Sequence, residues 1–248
     1  VSLHHSPRYR AFLTETASGL IERYNIRHET VLEVGCGKGV FLRLLCQLGD
    51  NNGFGFDPAL IEEGEELLGN QKITWVRDYY TARYAHLPHN LLCCRHVLNQ
   101  LVDPRQFLLD LRQMLGKRTD TVLYFELPNG EQIFQGSATW NVFYERASYF
   151  NTERLVQLFL DCGFDVLRAG PCYADGQYLS IEAKGRPVDE TLAAAVATSR
   201  PNDFLPLPDG LTGYANHLHR QIARWQEELI ALQKAGRRII GWGSGGQG

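Results

Sequence analysis

The chain has 248 residues, of which 44% are hydrophobic and 21% are charged, and its formal net charge is −3 at pH 7. This composition predicts a globular protein with one good core and part of a second. The sequence has no long basic run, which argues against binding to nucleic acid or to an anionic membrane surface. No stretch is apolar enough to span a membrane, and the first residues lack the apolar centre of a signal peptide. We therefore expect a cytoplasmic protein that acts on a small molecule.

The six cysteines form no Cys-x-x-Cys pair, and most of them lie in apolar runs such as LLCC at 91–94. Reduced cysteine behaves as a small hydrophobic residue in such a context. We therefore predict no zinc site, no disulfide framework and no other metal centre.

The first part of the chain predicts alternating helices and strands. Helical spacing of apolar residues comes first, over 6–24. TVLEVG (30–35) and NGFGFD (52–57) are predicted to be strands, and VFLRLLCQLG (40–49) a helix between them. PALIEEGEELLG (58–69) is predicted to be a second helix, which begins at Pro58.

The alternation continues along the chain. The further predicted strands are ITWV (73–76), NLLCC (90–94) and TVLYFEL (121–127), and the further predicted helices are DPRQFLLDLRQMLG (103–116) and NTERLVQLFLDCG (151–163), with a long loop before the last. Five strands that alternate with helices predict a parallel sheet with right-handed crossovers.

Two more predicted strands, FDVLRAG (164–170) and QYLSIEA (177–183), follow the last of these helices. The six residues between them, 171–176, are too few for a crossover helix, so the two strands must pair antiparallel. We therefore predict an α/β fold with a doubly wound, Rossmann-like sheet, mostly parallel and closed by an antiparallel terminal hairpin. That pattern is typical of class I methyltransferases rather than of dinucleotide-binding domains.

The composition changes after residue 184, which ends the first predicted domain, 1–184. Proline and small residues are frequent over 185–212, which predicts a linker or a crossing segment. A strong amphipathic helix, one strand and several glycines follow over 213–248, as at the start of a second Rossmann-like α/β unit. The chain begins with Val and ends within this glycine motif, so we expect further covalently linked domains outside it.

The segment EVGCGKG, which begins at Glu33, follows the first predicted strand. Its glycines allow the backbone to approach a ligand at the carboxyl edge of the sheet, beside a helix N-terminus. The Glu33 carboxylate would repel a pyrophosphate but attract a sulfonium or an α-ammonium group. We therefore predict that Glu33, Gly35, Cys36 and Gly37 bind S-adenosylmethionine (SAM) rather than NAD.

Carboxylates also end the next two predicted parallel strands. Asp57, followed by Pro58, lies where a carboxylate can accept hydrogen bonds from both ribose hydroxyls. Asp78 lies where a carboxylate can hold the adenine amino group, with Tyr79 or Tyr80 near the ring. Three carboxylates in this order, after a glycine loop, predict a cofactor site along one edge of the sheet.

A second glycine motif supports a different hypothesis. Gly241, Gly243 and Gly246 have the G-x-G-x-x-G spacing of a nicotinamide-dependent oxidoreductase. That motif needs a helix whose N-terminus faces the pyrophosphate, and no helix follows in this sequence. We therefore expect the loop at 33–39 to be the cofactor site.

Several segments together resemble the SAM-dependent C-methyltransferase family, whose members include enzymes that methylate nucleotide-linked deoxysugars. They are VLEVGCGKGVFLRLL, GFGFDP, RDYY, CCRHVL, FELPN and YERASYFN. The resemblance covers most of residues 5–183, and RRIIGWGSGGQG resembles the opening strand of that family's C-terminal Rossmann-like domain. It implies SAM as cofactor and methyl transfer to carbon. Members typically carry an N-terminal zinc-binding module, which this sequence does not show.

The resemblance also concerns the catalytic base. Where the family has a candidate histidine in the segment that matches YERASYF, this chain has Arg146. The loop over 128–150 follows the fifth strand and should overhang the methyl group, so Glu145 or Tyr144 could take the acceptor's proton. Arg146 could instead lower the acceptor's pKa, stabilise an enolate or bind a phosphate.

His96, after the fourth strand, is another candidate base, although it could also cap a helix or pack against the cofactor. Its neighbour Arg95 is predicted to contact the cofactor. We interpret the chain as a SAM-dependent methyltransferase that forms a C–methyl bond on a small carbonyl-containing acceptor, such as a nucleotide-linked keto-sugar or a biosynthetic intermediate. O- or N-methylation of a small molecule, and a non-catalytic SAM-binding domain in a multidomain assembly, remain alternatives.

Overall fold

The computed structural model describes residues 6–135, 142, 146–187 and 210–240. The helices are α1 (Pro7–Tyr24), α2 (Val40–Gly49), α3 (Pro104–Leu115), α4 (Gly130–Gln135), α5 (Thr152–Asp161) and α6 (Gly210–Lys234). The strands are β1 (Thr30–Val34), β2 (Asn52–Phe56), β3 (Gly64–Leu68), β4 (Gln71–Val76), β5 (Leu91–Arg95), β6 (Val122–Pro128), β7 (Phe164–Cys172) and β8 (Tyr178–Gly185).

All eight strands form one sheet in the order β3-β4-β2-β1-β5-β6-β8-β7. The run from β4 through β2, β1 and β5 to β6 is parallel, and β3, β8 and β7 are antiparallel to their neighbours. The predicted doubly wound sheet and its terminal hairpin are therefore confirmed. The strand order reverses between β1 and β5, and open α/β sheets bind ligands in the crevice at such a point.

The sheet is buried on both faces by helices. Val31 and Cys93 pack with α1 and α2 in one hydrophobic cluster, whereas their strand neighbours Leu32 and Cys94 pack with α3 and α5 in another. Because successive strand residues point to opposite faces, strands covered on both sides need apolar residues at every position. This is why β1 and β5 appear in the sequence as short continuous apolar runs.

Side-chain caps start the helices where the sequence predicts. The Asp103 carboxylate accepts a hydrogen bond from the Gln106 N–H at 2.8 Å at the start of α3. Asn151 does the same for the Arg154 N–H at 2.9 Å at the start of α5. Each cap satisfies a backbone donor that has no partner within its helix.

The predicted helix over 58–69 is wrong, and Pro58 does not begin a helix. Five of its twelve residues, Gly64–Leu68, form the edge strand β3, which pairs antiparallel with β4. Gly64, at the start of the strand, has a φ of 131°, which no helix allows. The Glu66 carboxylate accepts hydrogen bonds from Arg43 at 2.7 Å and from the Trp75 indole at 2.9 Å. These contacts with distant parts of the chain outweigh the helical propensity of a segment rich in Glu and Leu.

Two further expectations for secondary structure need correction. The long loop predicted after β6 contains the short helix α4, at whose start the Asn129 side chain accepts the Glu131 N–H at 3.1 Å. The terminal helix is present as α6, but the described part of the predicted strand after it, 237–240, is not in a strand. A strand requires a neighbour for its backbone hydrogen bonds.

In the described part of the chain, no helix is both long enough and apolar enough to cross a membrane.

The buried His89 predicts how folding depends on pH. Burial lowers the pKa of this imidazole to about 4, and the nearby Arg118 guanidinium acts in the same direction. Between pH 6.5 and pH 4, about the ordinary and the lowered pKa, the unfolded state binds more protons than the folded state. The free energy of unfolding should therefore decrease as the pH is lowered through this range, by about 3 kcal/mol for this group. We expect the free energy of unfolding, measured in urea, to decrease between about pH 7.5 and about pH 4.5 by about 3 kcal/mol less in His89→Leu than in the wild type.

His86 provides the control, because it lies exposed on the same segment. His86→Leu should keep the acid sensitivity of the wild type. Equal acid sensitivity in His89→Leu and the wild type would contradict the expectation.

Candidate active site

The candidate site lies where the carboxyl ends of β1 and β5 meet. The two strands pair in parallel, with Val34 opposite Cys94, so the loops that follow them begin side by side. The glycine loop leaves β1 at Gly35, and His96 follows β5. These two loops border the crevice at which the strand order reverses.

The three glycines of this loop have different neighbours. All have positive φ angles, of 69° at Gly35, 53° at Gly37 and 69° at Gly39. A Cβ at Gly35 would lie 2.2 Å from the Val97 side chain, and one at Gly39 would lie 2.1 Å from the Trp75 ring. A Cβ at Gly37 would meet no atom within 4 Å. Gly35 and Gly39 therefore allow the loop to pack on the protein, whereas Gly37 presents an open backbone surface.

Glu33 is buried beneath this loop and has only 2% of its surface exposed. Its carboxylate accepts a hydrogen bond from the Leu42 N–H in α2 at 3.1 Å. Burial raises the pKa of Glu33 to about 7, although the Arg95 charge and the Leu42 hydrogen bond oppose the shift. The group is therefore poised to ionise near neutral pH, and a nearby cation would favour ionisation.

Asp57 connects the glycine loop to the end of β2. One carboxylate oxygen accepts the Gly37 N–H at 2.8 Å, and the other accepts the Ala59 N–H at 2.8 Å. Asp57 therefore holds the open part of the loop in place. The nearby Cys36 thiol is buried, and burial raises its pKa well above the usual range.

Asp78, after β4, is paired with side chains of the following turn. One of its oxygens accepts a hydrogen bond from the Tyr84 hydroxyl at 2.8 Å and also lies 2.8 Å from the Arg83 guanidinium. The Tyr84 hydrogen bond, the Tyr79 N–H and Arg83 lower the pKa of Asp78. The Tyr79 side chain is 69% exposed, whereas Tyr80 packs against other aromatic rings in the core.

Arg95 lies in the protein interior rather than at the surface of the crevice. Its guanidinium donates hydrogen bonds to Glu126 at 2.8 Å and to the Tyr9 hydroxyl at 2.9 Å, and it lies 4.5 Å from the centre of the Phe41 ring. These contacts connect β5 with β6, α1 and α2. The predicted contact between Arg95 and the cofactor therefore stays a prediction.

Glu126, which the sequence reasoning did not select, lies at the centre of this network. Its Oε1 lies 2.8 Å from Arg95 and 3.0 Å from Nε2 of His96, and its Oε2 accepts the Tyr124 hydroxyl at 2.9 Å. Burial alone would raise the pKa of Glu126, but Arg95 and His96 outweigh it and lower the pKa to about 2. Glu126 is a single carboxylate within a buried apolar strand, and this was the available signal in the sequence.

His96 has a strained backbone, with a φ of 58°. Its ring packs edge-on against Tyr178 of β8, with the ring centres 4.6 Å apart, and 31% of its side chain is exposed. A folded protein holds a residue in an unfavourable backbone conformation only where the surrounding contacts fix it, and such residues often lie at functional sites.

The loop after α4 is described only in part. Tyr144 and Glu145 lie outside the described residues. The N–H groups of Ala147 and Ser148 donate to the Asn99 carbonyl at 3.0 and 3.1 Å, which holds this segment beside the loop that contains His96. Burial lowers the pKa of Arg146, and Tyr149 and Tyr178 oppose the shift. The structure therefore brings Arg146 to the same edge of the sheet as His96.

Comparison with protein families identifies the fold. A family model described as a methyltransferase domain matches residues 6–169, which is more than half of the 248 residues. The chain belongs to this family. S-adenosylmethionine is the cofactor of the methyltransferase domain, and the open backbone at Gly37 beside the buried Glu33 carboxylate fits a cationic cofactor.

Solved structures share the fold of this methyltransferase domain. A magnesium protoporphyrin IX methyltransferase from Synechocystis PCC 6803 with bound S-adenosylhomocysteine is 16% identical; the match covers 71% of this chain and 83% of that one, with a TM-score of 0.51. An N,N-8-amino-8-demethyl-D-riboflavin dimethyltransferase from Streptomyces davawensis is 18% identical; the match covers 71% of this chain and 54% of that one, with a TM-score of 0.52. A cyclopropane synthase from Mycobacterium tuberculosis is 14% identical; the match covers 67% of this chain and 66% of that one, with a TM-score of 0.51. No curated protein matches the chain.

The described part of the methyltransferase domain contains no group of three or more His, Cys, Asp or Glu side chains that could hold a metal ion. The charged and titratable groups Glu33, Arg95, His96 and Glu126 lie near the carboxyl ends of β1, β5 and β6.

Alanine at Gly37 or at Gly39 should separate cofactor binding from folding. Each substitution places a Cβ at positive φ, which costs about 1–2 kcal/mol. Gly39→Ala also drives the Cβ into the Trp75 ring, so we expect about 1–3 kcal/mol of further destabilisation in urea unfolding. Gly37→Ala should be the more stable of the two, yet it should weaken SAM binding at least about tenfold in isothermal titration calorimetry. Wild-type SAM affinity in Gly37→Ala would place the cofactor elsewhere.

Proposed function

We propose that SAM binds in the crevice between β1 and β5, along the residues that the sequence predicts. Its sulfonium and α-ammonium groups would lie near the Glu33 carboxylate and the Gly35–Gly37 backbone, which includes Cys36. Asp57 would exchange its hydrogen bond to Gly37 for the ribose hydroxyls. The support for this proposal is the open surface at Gly37, at the point where the strand order reverses.

The adenine would lie beyond the ribose, towards the end of β4. We propose that Asp78 holds the amino group and that Tyr79 covers the ring, because its side chain is exposed at that place. Asp78 would then exchange one of its present partners, Tyr84 or Arg83, for the adenine. Pro58 begins no helix, and we propose that it contributes to this part of the site by restricting the backbone of Asp57, as proline does for the residue before it.

We propose that the enzyme methylates a carbon atom of a small carbonyl-containing molecule, such as a nucleotide-linked keto-sugar or a biosynthetic intermediate. The observation that carries this proposal is the His96–Glu126 pair at the crevice, since a C–H bond beside a carbonyl must lose its proton to a base before carbon can accept a methyl group. Two of the similar structures are named for small-molecule methylation, of a magnesium protoporphyrin and of a riboflavin derivative.

The chain's own residues would orient the acceptor and accept its proton, while bound SAM supplies the activated methyl group. His96 is the candidate base within the described residues, and Tyr144 and Glu145 remain candidates outside them. Arg146, held beside the His96 loop, would stabilise the enolate that forms when the proton leaves.

Glu33 should make SAM affinity depend on pH. Its pKa of about 7 in the free protein means that a proton must leave before the carboxylate can pair with a cation, so affinity should fall below neutral pH. We expect the dissociation constant, measured by calorimetry, to rise about tenfold between about pH 8 and pH 6 in the wild type relative to Glu33→Gln.

The same substitution should raise the free energy of unfolding at about pH 8, because a buried charge disappears. Identical pH dependence of SAM affinity in Glu33→Gln and the wild type would contradict a contact between Glu33 and the cofactor. No SAM binding at all by the folded wild type, at up to about millimolar concentrations, would reject the proposed cofactor site.

The chemistry of transfer can be read directly with SAM that carries a ¹³C-labelled methyl group. We expect a panel of small ketones and nucleotide-linked keto-sugars to yield a product whose label has the NMR shift of a methyl group on carbon. Label on oxygen or nitrogen would instead support the O- or N-methyltransferase alternative. SAM binding without transfer to any acceptor would support a non-catalytic SAM-binding domain.

A further inference from the structure

Glu126 holds His96 from two sides. The His96 N–H donates to the main-chain carbonyl of Glu126 at 2.6 Å, and the ring nitrogen Nε2 lies 3.0 Å from the side-chain oxygen Oε1 of the same residue. Together these contacts keep the backbone of His96 at its positive φ. The ring therefore has one orientation relative to β6, which Tyr178 supports from the side.

The charge of Glu126 determines which ring nitrogen carries the proton. The carboxyl is fully buried, and Arg95 and His96 keep its pKa near 2 despite this burial, so it is ionised at neutral pH and can only accept hydrogen bonds. A neutral imidazole that faces it must carry its hydrogen on Nε2. Its other nitrogen, Nδ1, then has a free electron pair, because each neutral imidazole has one donor and one acceptor nitrogen.

Nδ1 of His96 has no hydrogen-bond partner among the described residues, and it is not among their enclosed polar atoms. His96 also directly precedes Val97, whose side chain fills the space beside Gly35 in the glycine loop. The imidazole is thus one residue from a direct contact with the loop that borders the cofactor crevice.

We propose that His96 is the base of the reaction through its Nδ1 atom, and that Glu126 is the positioning residue that fixes its tautomer and orientation. This inference rests on the proposed function. Nδ1 takes the proton from the acceptor carbon, whose electron pair forms the bond to the methyl carbon. The bond between the methyl carbon and the sulfonium sulfur of SAM breaks, and its electron pair stays on sulfur, which becomes a neutral thioether.

The buried charges suit this step. Before proton transfer, Glu126 and Arg95 form a neutral pair at 2.8 Å. After transfer, the imidazolium donates to the same carboxylate, which is already ionised and already oriented. A carboxylate that needs no rearrangement stabilises the new cation without a reorganisation cost.

The first experiment measures the tautomer of His96 in the wild-type protein, with His96→Gln to assign its signal. ¹⁵N-labelled histidine gives ring signals for all eight histidines, and the His96 signal is identified by its loss in His96→Gln. At about pH 8.5, about two units above the ordinary histidine pKa, we expect His96 to carry its hydrogen on Nε2 with at least about a tenfold excess. A hydrogen mainly on Nδ1, or comparable amounts of the two tautomers, would overturn the proposal.

A double variant, Arg95→Met with Glu126→Gln, tests the role of Glu126 while it leaves no unpaired buried charge. The excess of the Nε2–H tautomer should then fall about tenfold, because the charged acceptor is gone. A wild-type tautomer ratio in this variant would overturn the role of Glu126. If the variant does not fold, the wild-type spectrum decides.

Glu182→Gln is the matched control. Glu182 is also a buried carboxylate that pairs with an arginine, Arg23 at 2.8 Å, and with a tyrosine, but it does so on β8 and α1, away from His96. It should leave the His96 signals unchanged. A similar change of tautomer in this variant would show that any loss of a buried charge alters the ring, and this would contradict a specific role for Glu126.

Activity and binding separate this proposal from the one on which it rests. With the carbonyl compound that accepts the ¹³C label, kcat should fall about 10²–10⁴-fold in His96→Gln, with little change in SAM affinity. An unchanged kcat would overturn His96 as the base, but it would leave the methyltransferase function in place. Loss of SAM binding by the wild type would instead reject the cofactor site and leave the tautomer result valid.

Discussion

The ion pair between Glu126 and Arg95 is the interaction on which the carboxyl edge of the sheet depends. The two residues lie on neighbouring strands, β6 and β5, and Arg95 extends the network to Tyr9 of α1. A buried charge that loses its partner destabilises a protein by several kcal/mol, so each of the two residues makes the other necessary. Through this pair the outer helix, two central strands and the ring of His96 are held in one arrangement.

Several costly features lie at the same edge. Glu33 is buried with a pKa raised to about 7, His96 has a positive φ, and the glycine loop allows little variation at Gly35 and Gly39. Features that reduce stability are kept in folded proteins where function uses them. In this methyltransferase domain they lie around the crevice between β1 and β5, whereas the two hydrophobic clusters of the core supply the stability on either side of the sheet.

Much of the fold follows from local patterns in the sequence. Short apolar runs predict the five parallel strands, and the caps at Asp103 and Asn151 predict where helices begin, because both signals depend on residues close together in the chain. The short connection between β7 and β8 predicts their antiparallel pairing for a purely geometric reason. The positions of the glycine loop, Glu33 and Asp57 were likewise predictable, because they lie at the carboxyl ends of strands, and in a parallel sheet these ends share one edge.

Only the tertiary structure decided the rest, since it depends on contacts between residues far apart in the chain. The second half of the segment predicted to be a helix forms β3 because Glu66 contacts Arg43 and Trp75, and the sequence contains no local sign of this contact. Arg95 and Glu126 are 31 residues apart, so their pairing appears only when β5 and β6 lie side by side. The sequence by itself determined the fold class and the position of the glycine loop at the end of β1; packing decided that Nε2 of His96 faces the Glu126 carboxylate.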